Sequence, residues 1–350
     1  MFPTDETADR GQILVIVGLL IAVMLVALAL VLNAAIFAEN LSTRETADSE
    51  EPSSYAADTG STIADVYNRT NDNDTRKAVY AKTSFNESLE TWADSRSDTA
   101  AENGALFEAD WTTHVGWRLE QDENRSFTPA DNDSATGWTV AGDARDVAGF
   151  RLNVSRGDLY DGVGNSSKLE DNAFRVNVSD GTDDWKLYVF RDSENSTVVV
   201  YEGDPTAPED LGDLLSEPET KSCTAETDRA TVDFQEPELN DGDDNDDDDC
   251  DALSFDDDLE GNVSVRYENV QDGSGTERVN GTYTLVINGS DAVATNNTDH
   301  PDKFNVSGKT TPTATAVVYA VRYDTRYQRK EVVHDVEGRH SPRAEAYQPS

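Results

Sequence analysis

Apolar residues follow three successive patterns along this chain. The first is continuous. Ile13 to Phe37 carries no charge, and Asn33 is its only strongly polar residue. As a helix this run is about 37 Å long, enough for a hydrocarbon core of about 30 Å. It is apolar on every face, unlike a surface helix of a globular domain. A cleavable secretory signal has a shorter core, about 7 to 15 residues. The pattern therefore predicts a retained transmembrane helix over residues 12–37, preceded by a leader over 1–11.

The second pattern has helical spacing. Val79, Phe85, Leu89 and Trp92 can share one stripe, followed by Leu106, Phe107, Trp111 and Trp117, which predicts a helical segment over 75–120. Residues 38–74 between the two are polar, with a turn-prone "EEPSS". They read as a stalk, helical as far as Ser49, and then a flexible linker.

The third pattern alternates. "FRLNVSRGD" from Phe150 and "FRVNVSDGT" from Phe174 form an imperfect repeat. In it Phe150, Leu152, Val154, Phe174, Val176 and Val178 point to one face and Asn153 and Asn177 to the other. "WKLYVFRDSENSTVVVYEG" reads as a hairpin from Trp185 to Tyr201, and further strands are predicted at Val263–Tyr267, Thr282–Ile287, Ala314–Tyr323 and Tyr327–Val333. The alternation is interrupted over 204–261, a segment with four prolines and the run "NDGDDNDDDDCDALSFDDD". The expected fold is α+β: an N-terminal transmembrane helix, a short helical stalk region, and a mainly antiparallel β ectodomain over 121–203 and 262–340. An acidic low-complexity loop is inserted at 204–261, and 341–350 is a tail.

Charge narrows the class of partner. The 350 residues hold 70 acidic and 28 basic side chains, a formal charge of -42. Such a surface repels phosphate backbones, which excludes nucleic acid as a partner. High net charge can signal disorder, but 5 Trp, 11 Phe and 12 Tyr in periodic segments argue for a folded chain. Acidity of this degree suits molar salt, where the Debye length falls to about 3 Å. The last fifty residues depart from the trend, with eight basic against six acidic residues. They read as strand docked on the protein's own acidic body.

Basic residues are too sparse near the apolar run to orient it, with only Arg10 before it and Arg44 after. Glycosylation sequons orient it instead. Fifteen occur: Asn40, Asn68, Asn73, Asn86, Asn124, Asn132, Asn153, Asn165, Asn177, Asn195, Asn262, Asn280, Asn288, Asn296 and Asn305. That is well above the chance expectation of about four for this composition. The excess reads as glycosylation capacity on an exterior domain, with the N-terminus cytoplasmic. The only cysteines, Cys223 and Cys250, bracket the acidic segment. Outside the cell they can form a disulfide; two free thiols are the alternative.

Candidate chemistry is sparse. The acidic loop offers Asp256, Asp258 and Glu260 as oxygen ligands for calcium, yet Tyr267 stands where a calcium loop of that register needs an acid. A solvated acidic loop is the better reading, and no cofactor is expected. The four histidines are His114, His300, His334 and His340; "HDVEGRH" makes a metal pair only if both rings converge. The chain has no nucleophile elbow, no phosphate-binding glycine loop and no paired-cysteine motif. No enzymatic activity is assigned.

"DRGQ", Asp9 to Gln12, followed by the apolar run, resembles the class III signal of archaeal type IV pilins and archaellins, particularly those of halophilic archaea. The resemblance implies that a prepilin-type peptidase recognises Arg10 and Gly11 and cuts before Gln12. It implies that the helix stays on the subunit, that such helices bundle with other pilin-like subunits, and that β-rich heads face outward. Two departures stand out: Ile16 replaces the Glu of many bacterial pilins, and the first helix glycine is Gly18. They favour a minor component or a pilin-like protein that does not polymerise. The expected function is a membrane-anchored, glycosylated cell-surface structural or adhesion protein. The alternative is an unprocessed signal-anchored exoprotein whose ectodomain binds carbohydrate or cations.

Overall fold

A computed structural model describes residues 57–72, 78–163, 168–203, 221–240, 250–254, 261–271, 278–289, 312–330 and 332–342. It also describes Met24, Val26, Tyr55, Leu215, Leu259, Lys303 and Phe304. The leader, the apolar run apart from Met24 and Val26, and the calcium candidates Asp256, Asp258 and Glu260 lie outside the described residues. Among the described residues no helix is long and apolar enough to cross a membrane.

The described chain is α+β, and every ladder between its strands is antiparallel. Two helices come first, α1 over 57–71 and α2 over Ala78–Glu102. The strands are β1 (Leu106–Ser126), β2 (Gly137–Ala144), β3 (Asp146–Ser155), β4 (Phe174–Ser179), β5 (Asp184–Asp192) and β6 (Thr197–Glu202), with a one-turn helix α3 (Leu169–Asn172) before β4. They continue as β7 (Lys221–Ala225), β8 (Arg229–Asp233), β9 (Glu238–Asn240), β10 (Val263–Glu268), β11 (Asn280–Asn288), β12 (Thr313–Arg329) and β13 (Val332–His340). One sheet has the order β13-β12-β1-β11-β3-β8-β9, the other β2-β10-β4-β5-β6-β7.

Alternation stacks these sheets into a sandwich. Phe150, Leu152 and Val154 line the inner face of the first sheet, and Phe174, Val176 and Val178 that of the second, all in one core cluster. The two copies of the repeat therefore lie in opposite sheets with their apolar faces in one core. One end is filled by aromatic rings: Phe127, Phe174, Tyr267 and Tyr283 lie with centroids 5.3 to 5.8 Å apart. Offset and edge-on rings at this spacing add to their area burial.

β1 and β12 run beyond the sandwich, and the helices cover the extension. Ile63, Val66 and Tyr67 of α1 and Phe85 and Leu89 of α2 pack on Val318 and Val321, with Trp92, Trp111 and Tyr323 against them. β13 ends opposite Val321, leaving an open edge on β12. Asn71 fills it: its amide accepts from Val318 N at 2.8 Å and donates to Val318 O at 2.9 Å, as a neighbouring strand would.

Four expectations are corrected. The helical segment stops at Glu102 rather than 120. Gly104 takes the left-handed conformation (φ 71°) and Ala105 N–H bonds back to Ala100 O, ending the helix. Leu106–Ser126 is instead a long strand, in which Phe107, Trp111, Trp117 and Leu119 share a face at period two. Val79 is correspondingly exposed, and the stripe of α2 runs through Ala81, Phe85 and Leu89. The stalk or linker of 38–74 contains α1, whose Ile63, Val66, Tyr67 and Thr70 recur at helical spacing and are buried. The loop of 204–261 contains β7, β8 and β9; short strands between prolines gain their stability from neighbouring strands, not from local pattern. Finally, Tyr327–Val333 is no strand of its own. A tight turn with Lys330 at φ 54° separates β12 from β13, and no Gly or Asn marks it.

Candidate functional site

Position in the strands decides what the sequon asparagines can do. Ten of the fifteen lie among the described residues, and none is buried. Asn68, Asn124, Asn132, Asn195 and Asn262 are exposed, while Asn86, Asn153, Asn177, Asn280 and Asn288 are half-buried. Asn153 and Asn177 stand on the outer faces of their sheets, as the alternation predicts. Several are engaged. Asn86 Oδ1 accepts from Trp111 Nε1 at 3.2 Å and from Thr113 Oγ1 at 2.7 Å, tying α2 to β1. Asn195 Nδ2 donates to Asp192 Oδ2 at 2.6 Å, and Asn262 Nδ2 to Asp143 Oδ1 at 2.7 Å. Asn40, Asn73, Asn165, Asn296 and Asn305 lie outside the described residues, as do Arg10, Gly11 and Gln12.

Cys223 and Cys250 are joined in a disulfide, with Cα atoms 5.9 Å apart. Its place matters more than its presence. Cys223 is on β7, the last strand of the second sheet. Cys250 is fully buried and donates its N–H to Pro237 O at 2.6 Å, just before β9, the last strand of the first sheet. The bond clips the two sheets together along one open side of the sandwich.

The repeat carries a polar signal that the sequence reading passed over. In each copy the Arg after the Phe faces outward and meets an acid directly across the ladder. Arg151 lies opposite Asp233 and Arg175 opposite Glu268. Arg151 Nε donates to Asp233 Oδ2 at 2.8 Å, and Arg175 Nε to Glu268 Oε2 at 2.6 Å. Arg175 Nη1 also donates to the Tyr188 hydroxyl at 3.1 Å, and Arg266 Nε reaches Glu268 Oε1 at 2.9 Å. Burial alone would raise the Glu268 carboxyl, but the Arg175 and Arg266 hydrogen bonds outweigh it and hold it below the usual range.

Two clefts open among the described residues. One, of about 560 Å³, is lined by Asp183, Asp184, Lys186, Glu202 and Leu259. Glu202 is paired with Lys221 at 3.1 Å. Trp185 also lines it but is only 3% exposed, too little to stack a ring face on a sugar. The other, of about 230 Å³, brings His114 together with Asp143, Arg145, Asn262 and Asn288. Burial, then the charges of Arg322, Arg339, Lys82 and Arg145, push the His114 imidazole below its ordinary value. The adjacent Thr113 hydroxyl donates to Asn86 Oδ1 rather than to this imidazole.

Among the described residues no group of three His, Cys, Asp or Glu can hold a metal ion. His334 and His340 sit six residues apart on β13, about 20 Å along an extended strand, and cannot share one. His300 lies outside the described residues. Compared with known proteins, the chain matches no family model, no curated protein and no solved structure.

Proposed function

We propose that this chain is a membrane-anchored exterior protein of pilin-like plan, structural or adhesive in role, carrying its β-sandwich as a glycosylated head. The observation that carries the reading is the uncharged apolar run from Ile13 to Phe37, N-terminal to a folded, predominantly β domain. The solvent-reaching sequon asparagines and the inter-sheet disulfide support an exterior, oxidising location for that domain. The "DRGQ" junction supports processing after Gly11 and retention of the helix on the mature subunit. The membrane, a prepilin-type peptidase and other pilin-like subunits are its proposed partners.

Ile16, at the position where many bacterial pilins carry Glu, favours a minor or non-polymerising subunit, and the alternative to a processed subunit is an unprocessed exoprotein. In that alternative the anchor is never cut and the head works alone as a carbohydrate- or cation-binding module. Mass spectrometry of the mature N-terminus separates the two. A chain beginning at Gln12 supports the pilin-like subunit; one that retains Met1 to Gly11 removes it.

A further inference from the structure

The fold sorts the described sequons by what a sugar-transferring enzyme must reach. Transfer engages two side chains at once, the asparagine amide and the hydroxyl two residues on, so an acceptor sequon belongs in a surface loop. In the helices and strands one of the two is taken or covered. Thr70, Ser126 and Thr197, the hydroxyl partners of Asn68, Asn124 and Asn195, are buried. Asn153, Asn262 and Asn280 donate Nδ2 to Thr231, Asp143 and Asp158. Asn86 is held by Trp111 and Thr113, and Asn177 and Asn288 are half-buried on β4 and β11.

Asn132 differs from all of these. It and Ser134 are both exposed, in the loop that joins β1 to β2. Asn132 Oδ1 accepts the Ser134 N–H at 3.0 Å, closing a turn of the kind asparagine favours. The amide is planar, so with its oxygen turned into that bond Nδ2 points away from the turn. Among the described residues neither Nδ2 nor the Ser134 hydroxyl has a hydrogen-bond partner. The loop is fixed on both sides. Ala130 N–H donates to Lys303 O at 2.9 Å, Gln271 Nε2 to Ala135 O at 3.0 Å, and Trp138 Nε1 to Phe127 O at 2.7 Å. Arg125 holds Asp133, the middle residue of the sequon, at 3.2 Å. Ala130 to Ser134 is thus a short exposed arch on a buried base of Phe127, Thr128, Pro129 and Ala135.

We infer that Asn132 is the described sequon that receives sugar, from a glycosyl phosphate or diphosphate donor, once the sandwich has folded. The inference rests on the proposed exterior location of the head. Asn132 Nδ2 forms the bond to the anomeric carbon, the anomeric C–O bond breaks, and its electron pair leaves with the phosphate. One amide proton passes to a base of the transferase, and Asn132 keeps the other. The chain enters the head where Tyr55 packs on Tyr327 and Phe107. Ser126, from which the loop springs, lies about 65 Å from Leu106 along β1. The sugar therefore sits at the end of the head remote from the point of chain entry.

The test is glycopeptide mass spectrometry on the full chain, purified from cells that attach sugar to asparagine on their exterior proteins. Cleavage after arginine isolates Asn132 on the peptide Ser126–Arg145, which holds no other sequon. The inference predicts a sugar mass on most copies of this peptide and on a small minority of the peptides from the other described sequons. Ser134→Ala keeps the backbone turn and should abolish the modification with no change in melting temperature, and Asn132→Gln should do the same. Occupancy at Asn132 no higher than at Asn68, Asn153 or Asn177 overturns the inference, because transfer then ignores the fold, and leaves the glycosylated head standing. A sugar that persists in Ser134→Ala also overturns it. A chain bare at every sequon removes the glycosylated head and the inference together.

Discussion

Replacing Cys223 and Cys250 by alanine together should loosen one side of the sandwich before it unfolds the rest. The bond closes a span of 28 residues that includes β8 and β9, and releasing it returns chain entropy to the unfolded state. For a loop of that size the loss is about 3.6 kcal/mol. At about 2 to 4 °C per kcal/mol for a domain of this size, the melting temperature should fall by about 7 to 14 °C. Fluorescence of the five tryptophans during urea unfolding measures the free-energy loss, and hydrogen exchange locates it. Protection should be lost first at Lys221–Ala225 and Glu238–Asn240, the two edge strands beside the bond. It should persist at β4 and β5 in the centre of the second sheet. A loss below about 1 kcal/mol, or protection that falls uniformly, would refute the role of an inter-sheet clip.

Other residues yield further tests. The hydroxyls of Tyr267 and Tyr283 are buried and have no hydrogen-bond partner among the described residues. Tyr267→Phe and Tyr283→Phe should therefore be neutral or stabilise by about 1 kcal/mol, and a loss of that size instead would mean that something satisfies those hydroxyls. Arg175→Ala should destabilise by about 1.5 to 3 kcal/mol, because it strips Glu268 and Tyr188 of a charged partner at once. The Glu268 carboxyl is held below its ordinary value. The wild type therefore keeps this contribution above the unfolded-state Glu range, near pH 4.3, and loses it as pH falls further, whereas the variant shows a flatter acid limb. Asp110, Asp324 and Glu337 stand directly opposite one another across β1, β12 and β13. Asp324→Asn should add about 0.3 to 1 kcal/mol in low salt and nothing near 1 M, and a salt-independent effect would contradict an electrostatic origin.

The parts of the fold that could be read in the sequence are those where one local pattern suffices. Phe150, Leu152 and Val154, with their counterparts from Phe174, alternate cleanly because each strand has one face in the core and one in solvent. β1 misled because Phe107, Trp111 and Trp117 satisfy a helical stripe nearly as well as a strand. What decides for the strand is Gly104 and a full-length pairing with β12, which is tertiary information. α1 was hidden in a polar stretch whose few apolar residues matter only once β12 offers them a surface. The cross-strand partners of Arg151 and Arg175 lie 82 and 93 residues away, so the repeat announces the arginines but not the acids. The exposed residues Leu106, Val332 and Val333 come from chain positions more than two hundred residues apart, which only strand register brings together.

The central claim is that the sandwich is the exterior head of an anchored protein. Cells expressing the full chain should be treated with protease from outside, and their membranes then washed at alkaline pH. The account predicts that the head is digested in intact cells, while without protease the whole chain stays in the membrane pellet through the wash. A head protected until the cells are broken, or a chain released by the wash, would contradict it.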